Sequence, residues 1–357
     1  MKQRTVYKNA CLNGQTVDFV IEDGKFAVIG QTDEAGIDLN GLDIFPGLID
    51  IHCHGAMGYD VMDGEAGLEK MNVYFASRGI TTWYLGAGGS AERMRKILRT
   101  SLEGVRGANM PGFHLEGPYL SPNALGAISE ESIKLPDLAD FAEFDNVKLI
   151  TLAPELPGAI DYIRATTARV AIGHTAADYQ TTMAAIEAGA SCVTHTFNAM
   201  TPLHHREPGV LGAAIDGDIW VQVISDGVHL HPSVVKMLYR TFGKKMILIS
   251  DAVSGTGLPD GTYLKHGKYP RQIVDGTIRT STGRLAGSAS DLYRDVLKAI
   301  EFGIPREDAF YMASTAPAIY MGLNKGRIET GYDADFIAVD AGNQLRTVVI
   351  GGQIFTA

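Results

Sequence analysis

Eight short apolar segments, separated by stretches with helical periodicity, recur between residues 44 and 325 of this 357-residue chain. The segments cover residues 44–55, 80–88, 110–118, 147–155, 169–175, 191–200, 219–227 and 245–252. The intervening stretches, among them residues 65–79, 91–105 and 178–190, space their apolar residues as amphipathic helices do and end near glycine. Eight strands that alternate with helices indicate a (β/α)8 TIM-type barrel rather than an open doubly wound sheet.

Both ends of the chain have a different pattern, with short alternating strands and turns. Asp23-Gly24 is a hairpin signal near the N-terminus, and Gly342-Asn343 separates two strand-like segments near the C-terminus. We predict a small β-sandwich domain formed by both termini, residues 1–43 plus 326–357, and a barrel domain over residues 44–325. A turn-rich insertion, residues 256–288, predicts a hairpin near the barrel mouth.

Composition narrows the classes of partner and compartment. The formal net charge is −10, and the lysine and arginine residues are scattered singly, which argues against nucleic acid or an anionic membrane as a partner. Cys11, Cys53 and Cys192 lie far apart and are odd in number, as reduced thiols of a cytoplasmic protein would be. We expect no secretory signal, because the N-terminal residues are polar without an apolar stretch, and no membrane span, because no apolar run reaches about 18 residues.

Residues that bind metals or transfer protons are found where the predicted strands end. They are His52 and His54 on strand one, Glu116 after strand three, His174 after strand five, His195 on strand six and Asp251 after strand eight. Each of these alone is more often an ordinary hydrogen-bonded polar residue. Because the carboxyl ends of barrel strands form one face, on which active sites lie, together they predict a metal site.

The first strand carries its two histidines in the sequence "DIHCHG". Residues two apart on a strand face the same way, roughly 6.6–7 Å apart, so His52 and His54 can converge on one ion while Cys53 points away into the packing. The side chain of Asp50 lies on the same face of the strand and is expected to orient an imidazole. We interpret His114, which shares a side with Glu116, as a hydrogen-bonded core or supporting histidine.

Imidazole and carboxylate ligands without cysteine suit a divalent transition metal. Glu116 can reach one or two cations through its two oxygens, so one or two ions per subunit are expected. The ligand types suit Zn²⁺ first and Fe²⁺, Co²⁺ or Mn²⁺ as alternatives, and the residues alone do not choose among them.

Longer motifs give a family resemblance. "PGLIDIHCHG" resembles the strand-one motif of the amidohydrolase superfamily. In order along the chain, "HLEGPYLSP", "GHT", "THTFNAMTPLHHREPGVLGAA", "SDGVHLHP", "SDA" and "LAGSASDL" are similar to the series that marks N-acetylglucosamine-6-phosphate deacetylases. The resemblance implies a metal-dependent hydrolase that removes the acetyl group from a small phosphorylated amino sugar and forms a homodimer.

The resemblance also implies roles for individual residues. Glu116, His174 and His195 match the main metal ligands, His52 and His54 match a second metal position that some members lack, and Asp251 matches the catalytic acid/base. Substrate-binding positions are matched by Asn198, Ala199, Arg206, His229, Leu285, Ala286 and Gly287. Arg206 suits a phosphate, although a salt bridge with Glu207 is the simpler interpretation without the family match. His204 and His205 are interpreted as residues that position the loop or contact a second subunit, and Asp226 is interpreted as shaping the loop next to His229.

One position departs from the family pattern. Ile128 stands in "ALGAI", where members usually carry a histidine that contacts the sugar. Because an apolar side chain cannot hydrogen-bond to a hydroxyl, the sugar preference can differ. Alternatives are therefore a deacetylase for another N-acyl amino sugar, such as N-acetylgalactosamine 6-phosphate, or a different amidase of the superfamily.

Many amidases of the superfamily use a modified lysine at the end of strand four, whereas Lys148 is at the start of that strand. A non-catalytic barrel is a more distant alternative.

Overall fold

The structure is a computed structural model that describes residues 4–265 and 269–356; residues 1–3, 266–268 and 357, within the predicted terminal domain and insertion, lie outside the described residues. The chain begins with five strands: β1 (Arg4–Leu12), β2 (Gln15–Glu22), β3 (Lys25–Gly30), β4 (Ile37–Asp38) and β5 (Asp43–Pro46). Asp23 and Gly24 have φ of 49° and 76°, so the predicted β2–β3 hairpin turn is confirmed.

The predicted barrel follows. Its eight strands are β6 (Leu48–Cys53), β9 (Ile80–Gly88), β10 (Phe113–Glu116), β11 (Val147–Leu152), β12 (Arg169–Ile172), β13 (Ala190–Val193), β14 (Trp220–Val223) and β15 (Met246–Leu248). Two short strands, β7 (Gly55–Ala56) and β8 (Tyr59–Asp60), form a separate pair. The eight barrel strands are parallel neighbours, and the last joins the first through the His54 N–H bond to the Ala252 carbonyl at 2.6 Å. The (β/α)8 prediction is confirmed.

Helices connect the barrel strands and cover them. They are α1 (Gly64–Ser77), α2 (Ala91–Leu98), α3 (Ala159–Ala165), α4 (Tyr179–Ala188), α5 (Gly209–Asp216), α6 (Pro232–Phe242), α7 (Leu292–Glu301), α8 (Arg306–Ala313) and α9 (Thr315–Met321). The helix predicted over residues 91–105 was too long: α2 ends at Leu98, since the Thr100 N–H closes a turn on Ile97 and Gly104 has a φ of 72°. Every helix among the described residues is too short or too polar to cross a bilayer.

Strand periodicity decides which side chains enter the barrel. Leu149, Ala171, Cys192 and Ile247, one from each of four strands, share an inner cluster with α9, whereas the residues next to them pack in the larger cluster that includes the surrounding helices. Higher in the barrel the inner positions become polar. The same period of two therefore places both the core and the polar site.

The insertion after the eighth strand forms four antiparallel strands, β16 (Gly261–Lys265), β17 (Tyr269–Val274), β18 (Thr277–Thr280) and β19 (Leu285–Ser288). The predicted hairpin is thus present and is extended by two further strands. Three further strands follow, β20 (Phe336–Val339), β21 (Leu345–Ile350) and β22 (Gln353–Ile354). β20 pairs with β5, β21 with β20 and β22 with β21, which completes an eight-stranded sheet with the N-terminal strands. The separate β-sheet domain built from both termini is confirmed, with Tyr7, Phe19, Phe26 and Phe336 in its core.

Candidate metal centre and substrate cavity

The six residues predicted to form the metal site lie together at the carboxyl ends of the barrel strands. They are His52 on β6, His54 just after it, Glu116 at the end of β10, His174 and His195 two residues after β12 and β13, and Asp251 three residues after β15. His195 thus lies just beyond its strand rather than on it. The barrel therefore brings together residues that are up to 199 positions apart in sequence.

The backbone turns sharply at three of these positions. His174, His195 and Asp251 have φ of 50°, 26° and 48°, in the left-handed region that residues other than glycine rarely adopt. Such a conformation costs about 1–3 kcal/mol per residue and is common at functional sites, where the surrounding fold holds it. The sharp turns direct the chain away from each strand while the side chains stay at the barrel mouth.

Glu116 is at the centre of the cluster. Its Oε1 lies 3.0 Å from His174 Nε2, 3.2 Å from His195 Nε2 and 3.3 Å from His52 Nε2. Its Oε2 lies 3.4 Å from His54 Nε2. Each carboxylate oxygen thus faces different imidazoles, as a residue that serves one or two ions would require.

Asp251 faces the two histidines of strand one. Its Oδ1 lies 3.5 Å from His52 Nε2 and 3.6 Å from His54 Nε2. Ligand atoms of His52, His54 and Asp251 lie within 4.8 Å of one another, as do those of His52, Glu116 and His195. Two neighbouring groups of metal-binding atoms therefore share His52.

The chemistry of these atoms fits a bound cation. His52 Nε2 and His54 Nε2 are buried and make no hydrogen bond among the described residues. Buried polar atoms without partners are unfavourable, and coordination to a cation would satisfy both nitrogens. Imidazole and carboxylate donors without a thiolate are a set that divalent transition metals accept.

The charges at the site also favour a bound cation. Burial alone would lower the pKa of His52, but the charges of Asp251 and Glu116 raise it to about 9. Burial opposes ionisation of Glu116 as well, yet His174, His195 and His52 hold the pKa of its carboxyl well below the usual range. The carboxylates therefore favour positive charge at this point, which a divalent ion would also supply.

Gln222, rather than Asp50, contacts the imidazole of His52. Gln222 Oε1 lies 3.1 Å from His52 Nδ1, whereas Asp50 accepts hydrogen bonds from the His52 backbone N–H at 3.2 Å and from Ser250. The expectation that Asp50 orients an imidazole is wrong, because its side chain turns toward the strand-eight backbone. A polar residue within the apolar segment "IWVQVISDG" is the sequence signal that could have revealed Gln222.

Replacing Gln222 with leucine is expected to lower metal affinity about 10- to 100-fold, as loss of a partner to a metal-binding histidine does. An accepting Gln222 oxygen keeps the proton on His52 Nδ1 and leaves Nε2 free for coordination. Gln222→Glu keeps an acceptor and should retain more of the affinity. Metal titration of chelator-treated protein measures the effect, and the melting temperature of the metal-free forms controls for folding. Equal affinities in all three proteins would contradict this role for Gln222.

The predictions for His114 and Cys53 agree with the structure. His114 is buried, its Nε2 lies 2.8 Å from Thr151 Oγ1, and burial holds its pKa well below the ordinary value. Cys53 is buried in the packing next to Tyr84, as predicted. Lys148 donates to the Asp145 carbonyl at 2.7 Å, away from the metal-binding cluster.

A cavity of about 1580 Å³ opens over the cluster. Most of the predicted substrate-binding residues line this cavity, namely Asn198, Ala199, His229, Leu285, Ala286 and Gly287. Ile128, the residue that differs from the family pattern, lines it as well. Asp226 shapes its loop as expected, because it accepts hydrogen bonds from the Val228 and His229 backbones and from His229 Nδ1 at 2.8 Å. Burial works to lower the pKa of His229, but Asp226 holds it above the ordinary value.

Arg206 is the predicted substrate residue that the fold leaves outside. It is exposed and does not line the cavity of its own chain. Its guanidinium NH1 lies 2.6 Å from His205 Nε2, and no ion pair with Glu207 forms among the described residues. The simple salt bridge with Glu207 is therefore absent among the described residues, and the phosphate role of Arg206 stays a prediction.

Two contacts in the cavity wall were not predicted. The loop of residues 122–128 lies over the metal-binding cluster, where the Ala124 carbonyl is 3.0 Å from His174 Nδ1. Arg284, just before β19, reaches across to this loop and donates to the Gly126 carbonyl at 3.2 Å. No local pattern in the sequence indicates that the two segments meet.

Comparison with known proteins decides the family. The model of the amidohydrolase family matches residues 44–355 of this chain. The chain belongs to the amidohydrolase family. It is also 36% identical over 365 residues to N-acetylglucosamine-6-phosphate deacetylase of Vibrio furnissii, covering 96% of this chain and 90% of that protein. The resemblance that the motifs indicated is therefore confirmed.

Other relatives agree on the fold and differ in the sugar. The chain is 33% identical to N-acetylgalactosamine-6-phosphate deacetylase of Escherichia coli O157:H7, covering 94% of this chain and 93% of that protein. A crystal structure of N-acetylglucosamine-6-phosphate deacetylase from Pasteurella multocida matches with a TM-score of 0.91 at 28% identity over 99% and 100% of the two chains. A mutant of the Mycobacterium smegmatis deacetylase in complex with N-acetyl-D-glucosamine-6-phosphate has a TM-score of 0.91 at 28% identity, with 99% of both chains covered.

Proposed function

We propose that this chain is a metal-dependent hydrolase that converts N-acetylglucosamine 6-phosphate to glucosamine 6-phosphate and acetate. The observation that supports this most strongly is the cluster of four histidines, Glu116 and Asp251 at the base of a substrate-sized cavity. The similarity to deacetylases of this substrate extends over nearly the whole chain.

The residues divide the chemistry among them. Glu116, His174, His195, His52 and His54 would hold one or two divalent ions, which lower the pKa of a bound water to about 7 and polarise a carbonyl. Asp251 would take the proton of the attacking water and return it to the departing amine. Asn198, Ala199, His229 and Leu285–Gly287 line the cavity and would hold the sugar.

Metal identity, assembly and compartment belong to the proposal as well. Zn²⁺ is the ion we expect, because imidazole and carboxylate ligands suit it. Fe²⁺, Co²⁺ and Mn²⁺ are alternatives that would fit the same ligands. We propose a homodimer, in which the exposed loop around Arg206 meets a second chain. Cys53 and Cys192 are buried free thiols, which supports a reducing cytoplasmic location.

The relatives differ in the sugar for which they are named. Ile128 lines the cavity, and one relative is named for the galactosamine substrate. Turnover should therefore be measured on N-acetylglucosamine and N-acetylgalactosamine, each with and without a 6-phosphate, with metal content determined on the same sample. A preference for N-acetylglucosamine 6-phosphate supports the proposal. A preference for the galactosamine epimer selects the alternative, and no metal-dependent hydrolysis of any of the four contradicts both.

Replacing Arg206 with alanine is expected to raise KM for the phosphorylated sugar far more than for the unphosphorylated one, by about tenfold or more. Because Arg206 lies outside its own cavity, we expect it to act on the site of a partner subunit. Mixing the Arg206→Ala and Asp251→Asn proteins under conditions of subunit exchange should then restore activity, since one site of each hybrid dimer has both residues intact. A mixture no more active than its components would place Arg206 outside the shared site.

A further inference from the structure

The cavity has few arginine or lysine side chains of its own to hold an anionic substrate. Among the described residues that line it, the arginine and lysine side chains are Arg93 and Arg284. Arg93 is ion-paired with the buried Asp60 at 3.4 Å, which already balances its charge. A chain with a formal net charge of −10 repels a phosphate, so a local cation is needed.

Arg284 is differently placed. Its guanidinium NH1 donates to the Gly126 carbonyl at 3.2 Å, and no carboxylate of residues 4–265 or 269–356 forms an ion pair with it. One N–H of a group that carries five is used in this way. Arg284 is exposed at the cavity wall, so the rest of its guanidinium can meet a ligand.

The contact with Gly126 brings the Arg284 guanidinium next to the proposed substrate-binding residues. Gly126 lies so close to the metal-binding cluster that a methyl group there would be 3.3 Å from His174 Cε1 and 3.6 Å from the Ala199 side chain. Leu285, next to Arg284 in sequence, lines the same cavity. The guanidinium is therefore held between two segments that surround the space for the sugar.

We propose that Arg284 binds the phosphate group of the substrate and sets the preference of this chain for a phosphorylated sugar. The proposal rests on the proposed function. A guanidinium presents paired N–H groups to phosphate oxygens, which a lysine cannot match. Arg284 would act from the same chain as the metal site, whereas Arg206 would act from a partner subunit.

The test compares Arg284→Gln and Arg284→Lys with a matched control, Arg279→Gln. Arg279 is on β18 of the same small sheet, is exposed, donates to the Gly283 carbonyl at 2.9 Å and does not line the cavity. In the metal-loaded protein, Arg284→Gln should raise KM for N-acetylglucosamine 6-phosphate about 10- to 100-fold and leave kcat/KM for N-acetylglucosamine within about twofold. Arg284→Lys should fall between, and Arg279→Gln should match the parent protein.

Equal losses on both sugars would mean that Arg284 only supports the loop through Gly126, and this would overturn the proposal, as would an unchanged KM. Calorimetric titration with inorganic phosphate separates this result from failure of the proposed function. If neither sugar is hydrolysed by the parent protein, phosphate binding that weakens at least tenfold in Arg284→Gln and not in Arg279→Gln still supports an anion site. Equal phosphate affinities would overturn it.

Discussion

Replacing Asp251 with asparagine is expected to lower kcat by about 10²- to 10⁴-fold, the range that general acid–base catalysis contributes. Asparagine keeps the size and one oxygen of the side chain, so the contacts near His52 and His54 remain possible. It cannot accept and return a proton, so only the proton-transfer role is removed. Steady-state turnover together with elemental analysis of the same preparation measures the effect.

The metal that we propose for Glu116, His174 and His195 should be retained in this variant, which distinguishes lost chemistry from a lost ion. Asp161→Asn is a suitable control, because Asp161 is on α3 with a side chain that is 87% exposed. Turnover near that of the parent protein would remove Asp251 as the acid/base. A loss of activity that parallels a loss of metal would make it a ligand instead.

Replacing Glu116 with glutamine is expected to remove the bound metal and to lower turnover by at least about 10³-fold, since the metal contributes several kcal/mol to the reaction. Glu116 supplies carboxylate oxygens within 3.0–3.4 Å of four imidazole nitrogens. A neutral amide provides no charge for a divalent cation and leaves only Asp251 to balance it. Elemental analysis and the melting temperature with and without added Zn²⁺ measure the change.

A comparison with His54→Ala sharpens this test. His54 contacts only one side of the cluster, near Asp251 and Glu116 Oε2, so its loss should reduce the metal content without abolishing it. Glu92→Gln, with a side chain that is 75% exposed on α2, controls for the loss of one carboxylate. Full metal content in Glu116→Gln would show that this carboxylate is not a ligand.

Much of the fold and of the cluster could be predicted because the signals are local. Short apolar segments mark the barrel strands, and the spacing of His52 and His54 places both on one side of a strand. The end of α2 was less predictable, since the apolar periodicity continues past Leu98 while the backbone turns away. Local pattern thus located the strands more accurately than it located helix ends.

Contacts between distant segments could not be predicted in this way. The side chain of Asp50 was predicted to support an imidazole, but the residue that contacts the imidazole of His52 is Gln222, 170 residues after His52 in the chain. Arg206 has the correct chemistry for a phosphate, yet its side chain is exposed and does not line the cavity of its own chain. In each case the residue type was informative and the direction of its side chain was not.

The amino-acid sequence by itself therefore determined the barrel, the terminal sheet and the family, and it predicted the candidate metal ligands, because all of these follow from periodicity and motif order along the chain. Tertiary structure alone decided which atoms face one another. The convergence of Glu116 on four histidines, the Gln222 contact and the approach of Arg284 to Gly126 depend on closing eight strands into one ring. Ring closure places residues from distant parts of the chain within hydrogen-bond distance, and no local pattern records that distance.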